Sequence, residues 1–348
     1  MGAEPAIGKS SERIGKRKNE IWDTFARVLQ VCEEEKIDLL LIAGDLFHRQ
    51  PLKKELKEVS YMFSKLSVTQ VVMIIGNHDY LKRESYYRDA IFPKNVHVIL
   101  SQDLQAVLLP EYDLAVYGLS YHAREIAAPK YRGAYARRRM PYEILLGHGG
   151  DEKHIPVTRD ELLELGYDYV ALGHIHKPQI LCPDRIAYAG ALEPIDKNDV
   201  GAHGYIRGEI TTKGCKITFV PFALREYVHI DVEVSPQMTE GEIRDEIAKK
   251  IQSLGVQNIY KVTIKGHYDP EIYINTDNLD VYGNVIEFVN ETLPSYDFAR
   301  IKRANEGNIL GSYIASFAGA EEGSKEFAAL CAGVKAMMET REAGTDGI

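Results

Sequence analysis

Val170-Ala171-Leu172-Gly173-His174-Ile175-His176 is an apolar run that ends in glycine and then presents two imidazoles one residue apart. Three other stretches share this grammar: Leu39-Leu40-Leu41-Ile42-Ala43-Gly44-Asp45, Val71-Val72-Met73-Ile74-Ile75-Gly76-Asn77-His78 and Ile144-Leu145-Leu146-Gly147-His148. Continuous apolar runs of this kind read as strands buried on both faces, and in open α/β sheets ligands collect beyond the carboxyl ends of such strands. Glycine at the strand end permits a sharp turn and a close approach of backbone. The four runs are therefore expected to bring Asp45, Asn77, His148, His174 and His176 to one place.

The segments between these runs supply helices. Ile21, Phe25, Val28, Leu29 and Cys32 share one face of a helix over 21–36, entered through a loop with a basic cluster, Lys16-Arg17-Lys18. Leu52, Leu56, Val59 and Phe63 form the stripe of a second helix over 52–66. Strands are expected at 37–43, 70–75, 96–100, 114–119, 143–146 and 169–172, and the strand–helix–strand order predicts a parallel unit with a right-handed crossover. Thr158 and Glu161 spell a capping box. Alternation over 204–210 and 215–221 suggests two antiparallel strands. From Tyr227 the pattern restarts as strand 227–234, helix 239–254 and strand 258–264, followed by a helical tail over 308–338 and a frayed end over 341–348. The expected division is 1–225, 226–320 and 321–348.

With 348 residues, 45% of them hydrophobic, the chain can bury the cores of two domains. No apolar run approaches the roughly 18 residues of a membrane span, and the first residues lack the apolar core of a signal peptide. Cys32, Cys182, Cys215 and Cys331 are widely spaced without a C-x-x-C pair, so a reducing cytoplasm without a membrane partner is the expected setting. The net charge of -9 is concentrated late in the chain: residues 226–348 carry 21 acidic and 11 basic side chains, which leaves +1 on residues 1–225. An acidic total argues against nonspecific coating of nucleic acid but permits local basic patches. One such patch is 124–139, where Arg124, Lys130, Arg132, Arg137, Arg138 and Arg139 flank Tyr131 and Tyr135. It reads as an exposed basic loop, either plain solvated surface or a contact for a phosphate backbone.

Each glycine-terminated motif alone is commonplace; their joint occurrence is not. Carboxylate, amide and imidazole donors without thiolate suit Mn, Fe or Zn. Two ions about 3.5–4 Å apart would clamp a phosphate, lower the pKa of water and neutralise a departing oxygen. No Walker A loop, G-x-G-x-x-G turn or serine elbow opens a helix, which excludes the corresponding ATPase, dinucleotide-binding and serine hydrolase classes.

Gly44-Asp45-Leu46-Phe47-His48, Gly76-Asn77-His78-Asp79, Gly147-His148 and Gly173-His174-Ile175-His176 resemble, in type and order, the motifs of calcineurin-like metallophosphoesterases, in particular bacterial DNA repair exonucleases of the SbcD and YhaO kind. The resemblance runs over most of the chain. It implies an α/β fold: a metallophosphoesterase sandwich of mixed β-sheets flanked by helices, with a small C-terminal α+β capping domain. It also implies two divalent metal ions, Mn by preference. Asp45 would bridge them, Asn77, His148 and His174 would complete one site, and His176 would belong to the other. His78 would meet the phosphate and assist the leaving group, Asp79 would orient the His78 ring, and His48 would position DNA. The implied partners are DNA, a coiled-coil SMC-like ATPase acting in trans, and a second copy of the chain.

The sequence departs from the family at one point. The family opens on a strand ending in Asp-x-His, whereas this chain begins Met1-Gly2-Ala3-Glu4, with Glu4, Glu12 and Asp23 as the nearest substitutes. Only one metal site then has a full ligand set, the other keeping Asp45 and His176. The expectation is a chain read from downstream of that motif, lacking the first strand and inactive or feebly active. Two other readings stay open: a non-catalytic, one-metal scaffold subunit, and a phosphodiesterase or phosphatase of small nucleotides.

Overall fold

Strands with apolar side chains on both faces need a hydrophobic surface on each side, and the first part of this chain meets that demand with two stacked sheets. A computed structural model describes residue 1, residues 11–270, residue 272 and residues 274–345. Glu4, the side chains of Glu12 and of Lys16-Arg17-Lys18, and the end of the tail after Thr345 lie outside the described residues. The chain divides into two compact units, one of residues 1–228 with 257–259 and one of residues 229–256 with 260–348.

The first unit opens with α1 (Ser11–Glu34), β1 (Leu39–Ala43), α2 (Lys53–Phe63), β2 (Gln70–Ile74) and β3 (Val96–Ile99). These strands form a wholly parallel sheet in the order β1-β2-β3. Next come β4 (Gln105–Leu109), β5 (Leu114–Gly118), β6 (Tyr142–His148), α3 (Arg159–Glu164), β7 (Tyr169–Gly173), β8 (Gln179–Cys182) and β9 (Ile186–Tyr188). They make a mixed sheet in the order β4-β5-β6-β7-β9-β8, parallel at its centre and antiparallel at both edges. An antiparallel hairpin of β10 (Gly204–Thr211) and β11 (Gly214–Pro221) completes the unit.

Burial along the strands shows the layers. On β2, Val71 and Met73 pack with Phe25, Val28 and Leu29 of α1 and Leu56, Val59 and Phe63 of α2, while Val72 and Ile74 join Ile144, Leu146 and Ala171 between the sheets. Leu145 and Leu172 face the other way, into a cluster with Leu162 beside α3. The result is a four-layer α/β sandwich of mixed sheets flanked by helices.

Two sequence expectations need correction. The helix begins at Ser11 instead of near residue 21, so the backbone of the basic cluster is helical, as the good helix propensity of Lys, Arg and Glu allows. The run Leu39–Ala43 is not buried on both faces, for all five residues are half-buried. Among the described residues β1 pairs with β2 alone and β10 with β11 alone, and a cavity of about 710 Å³ lies against both strands.

The second unit contains all but the first residues of β12 (Tyr227–Val234) and β13 (Ile259–Tyr268), together with α4 (Glu240–Leu254), β14 (Val285–Asn290), β15 (Leu293–Pro294), α5 (Phe298–Ala304), α6 (Ile309–Ser316) and α7 (Lys325–Thr345). Thr239 caps α4 by accepting from the Glu242 N–H, and Ile243, Ile247 and Ile251 form its buried stripe. On α7, Leu330 and Val334 pack with Leu310 and Ile314 of α6, so the helical tail covers its own apolar side.

Phe63 is fully buried and meets Phe25 edge-on with centroids 6.0 Å apart. Phe63→Ala is expected to destabilise the fold by about 3–5 kcal/mol, read as a lower urea midpoint; a change under about 1 kcal/mol would contradict this packing.

Candidate metal centre

Three strand ends meet because glycine lets them. Gly44 turns the chain out of β1 with φ of 84°, and a Cβ there would lie 2.5 Å from His148 Nδ1. A Cβ on Gly76 would lie 2.2 Å from Asp45 Oδ1, and one on Gly173 would lie 2.0 Å from the Ala43 carbonyl oxygen. Beyond these glycines Asp45 and His174 sit at φ of 51° and 94°, a backbone region that side chains other than glycine rarely take and that clusters at functional sites.

The donor atoms then converge. Asn77 Oδ1 lies 2.8 Å from His148 Nε2 and 3.1 Å from His174 Nδ1. Asp45 Oδ2 is 3.4 Å from His148 Nε2, while Asp45 Oδ1 accepts the His78 backbone N–H at 2.8 Å. His148 is fully buried, and its other nitrogen, Nδ1, donates to the Ala43 carbonyl at 2.8 Å. That bond places the ring proton on Nδ1 and leaves the Nε2 lone pair facing two oxygen acceptors. Lone pairs directed at one point need a proton or a cation between them, so this donor set fits a divalent ion.

The titration of the two main partners agrees. Burial works against the Asp45 charge, but His148 and the hydrogen bonds hold its carboxyl down to about 2. Burial also opposes charge on His148, yet the Asp45 carboxylate raises its pKa above the ordinary imidazole value. One oxygen of Asp45, with His148 and His174, offers ligand atoms within 4.8 Å of one another.

His176 stands apart from this group, with its Nδ1 3.3 Å from Asp199 Oδ1. His78 and His48 stack with ring centroids 4.1 Å apart and planes 22° from parallel. Burial lowers the pKa of both rings, and the exposed Arg124 adds a further lowering at His78. Asp79 does not orient the His78 ring. Its Oδ1 accepts the Gly76 N–H at 3.0 Å, and its Oδ2 accepts the Tyr87 hydroxyl at 2.8 Å and the Phe47 N–H at 3.3 Å. These bonds make it a brace for two turns, while burial, and then the nearby Asp45 charge, push its carboxyl up to about 6.

The basic loop is more engaged than its composition implies. Lys130 pairs with Asp103 at 3.2 Å, Arg132 with Glu161 at 2.7 Å and Arg138 with Asp168 at 3.0 Å. Tyr131 is buried, and its hydroxyl accepts the His148 backbone N–H at 2.7 Å while lying 3.1 Å from the His148 carbonyl. Sequence reading missed Tyr131, Tyr121, Asp151, His154 and Asp199 as neighbours of the imidazoles. The available signal was local for Asp151 and His154, which follow Gly147-His148 within a few residues; Tyr131 and Asp199 carried none.

A strand-end cluster of carboxylate, amide and imidazole donors on an α/β sandwich is what the resemblance to metallophosphoesterases implies. Residues 18–178 match the calcineurin-like phosphoesterase family, and the chain carries that family's domain. It is 29% identical over 267 residues to the uncharacterized metallophosphoesterase YhaO of Bacillus subtilis, covering 70% of this chain and 64% of that protein. It is 24% identical over 320 residues to the DNA double-strand break repair protein Mre11 of Thermoplasma acidophilum, covering 85% of this chain and 80% of the relative. The corresponding protein of Saccharolobus solfataricus is 27% identical over 214 residues, 56% of this chain and 54% of its own length. The chain thus spans less than two thirds of the length of several relatives it matches.

Tyr131→Phe removes the acceptor of a buried N–H and is expected to lower stability by about 1–3 kcal/mol, measured by chemical denaturation. A neutral result would mean that another group satisfies the His148 amide.

Proposed function

We propose that this chain is a divalent-metal-dependent phosphodiester hydrolase acting on DNA, with Mn as the ion and Fe or Zn as alternatives of similar ligand preference. The observation that carries the reading is the set of lone pairs from Asp45, Asn77, His148 and His174 directed at one point between the strand ends. When bound, such ions supply Lewis acidity and lower the pKa of water. The protein's own groups do the rest. His78, its ring stacked on that of His48, meets the phosphate and assists the leaving oxygen. His48 stacks behind it and holds its plane.

DNA as substrate is supported by what the Mre11 relatives are named for and by the exposed Arg124, Arg137 and Arg139. In the same reading residues 226–320 are a capping domain by resemblance, an SMC-like ATPase and a second copy of the chain are partners, and the setting is cytoplasmic. A one-ion, binding-only subunit is the second reading. It is favoured by the second site, for which Asp45 and His176 are the donors that the motifs supply.

The test is Mn content together with cleavage of a linear duplex, with Asp45→Asn as control. The expected result is cleavage that requires Mn, stops with chelator and is abolished in D45N. One Mn per chain, with DNA affinity and no cleavage, would replace hydrolysis by the binding-only reading. Preference for a small phosphodiester over competing DNA would transfer the activity to small nucleotides. Neutralising Arg124, Arg137 and Arg139 is expected to reduce the salt slope of DNA binding by about 1 for each phosphate no longer neutralised; an unchanged slope assigns them to plain surface.

A further inference from the structure

The turn after β6 holds a side-chain cluster that the phosphoesterase chemistry above does not use. Gly149 and Gly150, at φ of 123° and 120°, lead into a tight reversal in which Asp151 and His154 form a bridge. A Cβ on Gly149 would lie 2.1 Å from the His154 carbonyl oxygen, so the reversal closes only around glycine. It is anchored by the Gly150 N–H to the His154 carbonyl at 2.7 Å, the Ile155 N–H to Ile126 at 2.7 Å and the Ile126 N–H to Lys153 at 2.8 Å.

This frame aims one carboxylate. Asp151 Oδ1 accepts the backbone N–H groups of Lys153 at 2.8 Å and His154 at 3.0 Å, and it lies 2.8 Å from His154 Nδ1. Oδ2, itself 2.9 Å from His154 Nδ1, reaches His174 Nε2 at 2.7 Å. The His154 ring sits 4.3 Å from the His174 ring, centroid to centroid. His174 leaves β7 at φ of 94°, outside strand geometry, so its ring direction depends on such contacts.

An imidazole with Nε2 against a carboxylate and Nδ1 toward Asn77 has its proton assigned. Nε2–H donates to Asp151, and Nδ1 keeps its lone pair for an ion. We propose that Asp151, locked by its own turn and clamped by His154, is a positioning residue that fixes the tautomer and orientation of His174 as a metal ligand. The inference rests on the metal reading of Asp45, Asn77, His148 and His174. The neighbouring imidazole carries the same device: Asp199 Oδ2 accepts the Ile195 and Asp196 N–H groups at 3.0 Å each, which leaves Oδ1 beside His176.

Asp151, His154 and His174 also lie close enough to ligate an ion among themselves. A neutral imidazole that gives Nδ1 to one ion keeps its proton on Nε2 and has no lone pair for another. The geometry therefore favours an orienting carboxylate over an independent ion site.

The experiment compares the wild-type chain, Asp151→Ala and Asp151→Glu. Asp151 is exposed, so its truncation opens no core cavity. The first readout is the ¹H–¹⁵N two-bond pattern of the His174 ring in metal-free protein. The second is Mn²⁺ titration followed by the signal of free Mn²⁺. The expected result is a single Nε2–H tautomer in wild type, a mixed population in D151A and its restoration in D151E. With it, D151A weakens Mn²⁺ binding about 10–100-fold at unchanged stoichiometry, and D151E recovers most of the affinity. Identical tautomers and affinities in wild type and D151A would overturn the proposal. So would the disappearance of one Mn²⁺ equivalent with the rest unaffected, because Asp151 would then be a ligand itself. A wild type that binds no Mn²⁺ defeats the metal reading and the ligand role with it, an outcome separable from failure at Asp151 because the tautomer comparison needs no metal.

Discussion

The Ala43 carbonyl accepts a hydrogen bond from His148 Nδ1 at 2.8 Å, and the rest of the site depends on that contact. Ala43 ends the outermost strand of the parallel sheet, and His148 ends a central strand of the mixed sheet. One bond therefore ties the two sheets together at their carboxyl ends and also decides which nitrogen of a buried imidazole keeps a lone pair. Its geometry tolerates no side chain in the gap. Gly44, Gly76 and Gly173 each stand where a Cβ would press on the carbonyl, the imidazole or the carboxylate involved. The apolar runs bring the layers into register, and the glycines let them close.

Much of this was legible because the strands are terminated by chemistry. An apolar run followed by glycine and a ligand-type residue states both where a strand stops and what it presents, and β1, β2, β6 and β7 end as those runs indicate. The helical stripes of α1 and α2 were equally plain, since each buries residues three or four apart, although Leu52, expected to open the second stripe, is exposed at the N-cap of α2. What escaped was whatever depends on a partner far along the chain. β4 and β8 are half-exposed edge strands whose residues carry little alternation, and they exist as strands because β5 and β9 offer them an edge. The half-burial of Leu39–Ala43 is likewise a property of its surroundings: five apolar residues in a row look alike whether one neighbouring strand is present or two.

The same limit applied to the site. Tyr131 lies among arginines, and composition alone makes it part of an exposed loop; its burial under the His148 backbone follows from a contact 17 residues away. Asp79, directly after His78, invited the inference that neighbours in sequence cooperate. Consecutive residues after a strand end point in different directions, and Asp79 points inward to Gly76, Phe47 and Tyr87. Asp199 behind His176 carried no signal, and for Asp151 the closeness to Gly147-His148 gave only a hint, because the imidazole each one reaches lies 23 residues away in the chain.

Two carboxylates near the centre end with opposite properties, and their surroundings explain the division of labour. Asp79 is enclosed, satisfied by two N–H groups and a hydroxyl, and pushed up to about 6 by burial and by the charge of Asp45. Asp45 faces imidazoles and is held down to about 2, so it stays ionised throughout the neutral range. Asp45 thereby keeps its charge to far lower pH than Asp79 and is the carboxylate that shares it with His148. Without an ion, that partnership is relieved only by a proton on a buried ring, a state that burial itself opposes. A divalent cation seated between Asp45, Asn77 and His148 would remove the conflict, neutralising the carboxylate while taking up the lone pair that the Ala43 bond leaves on Nε2. The contacts that drive the two groups in opposite directions are thus the contacts that prepare a cation site.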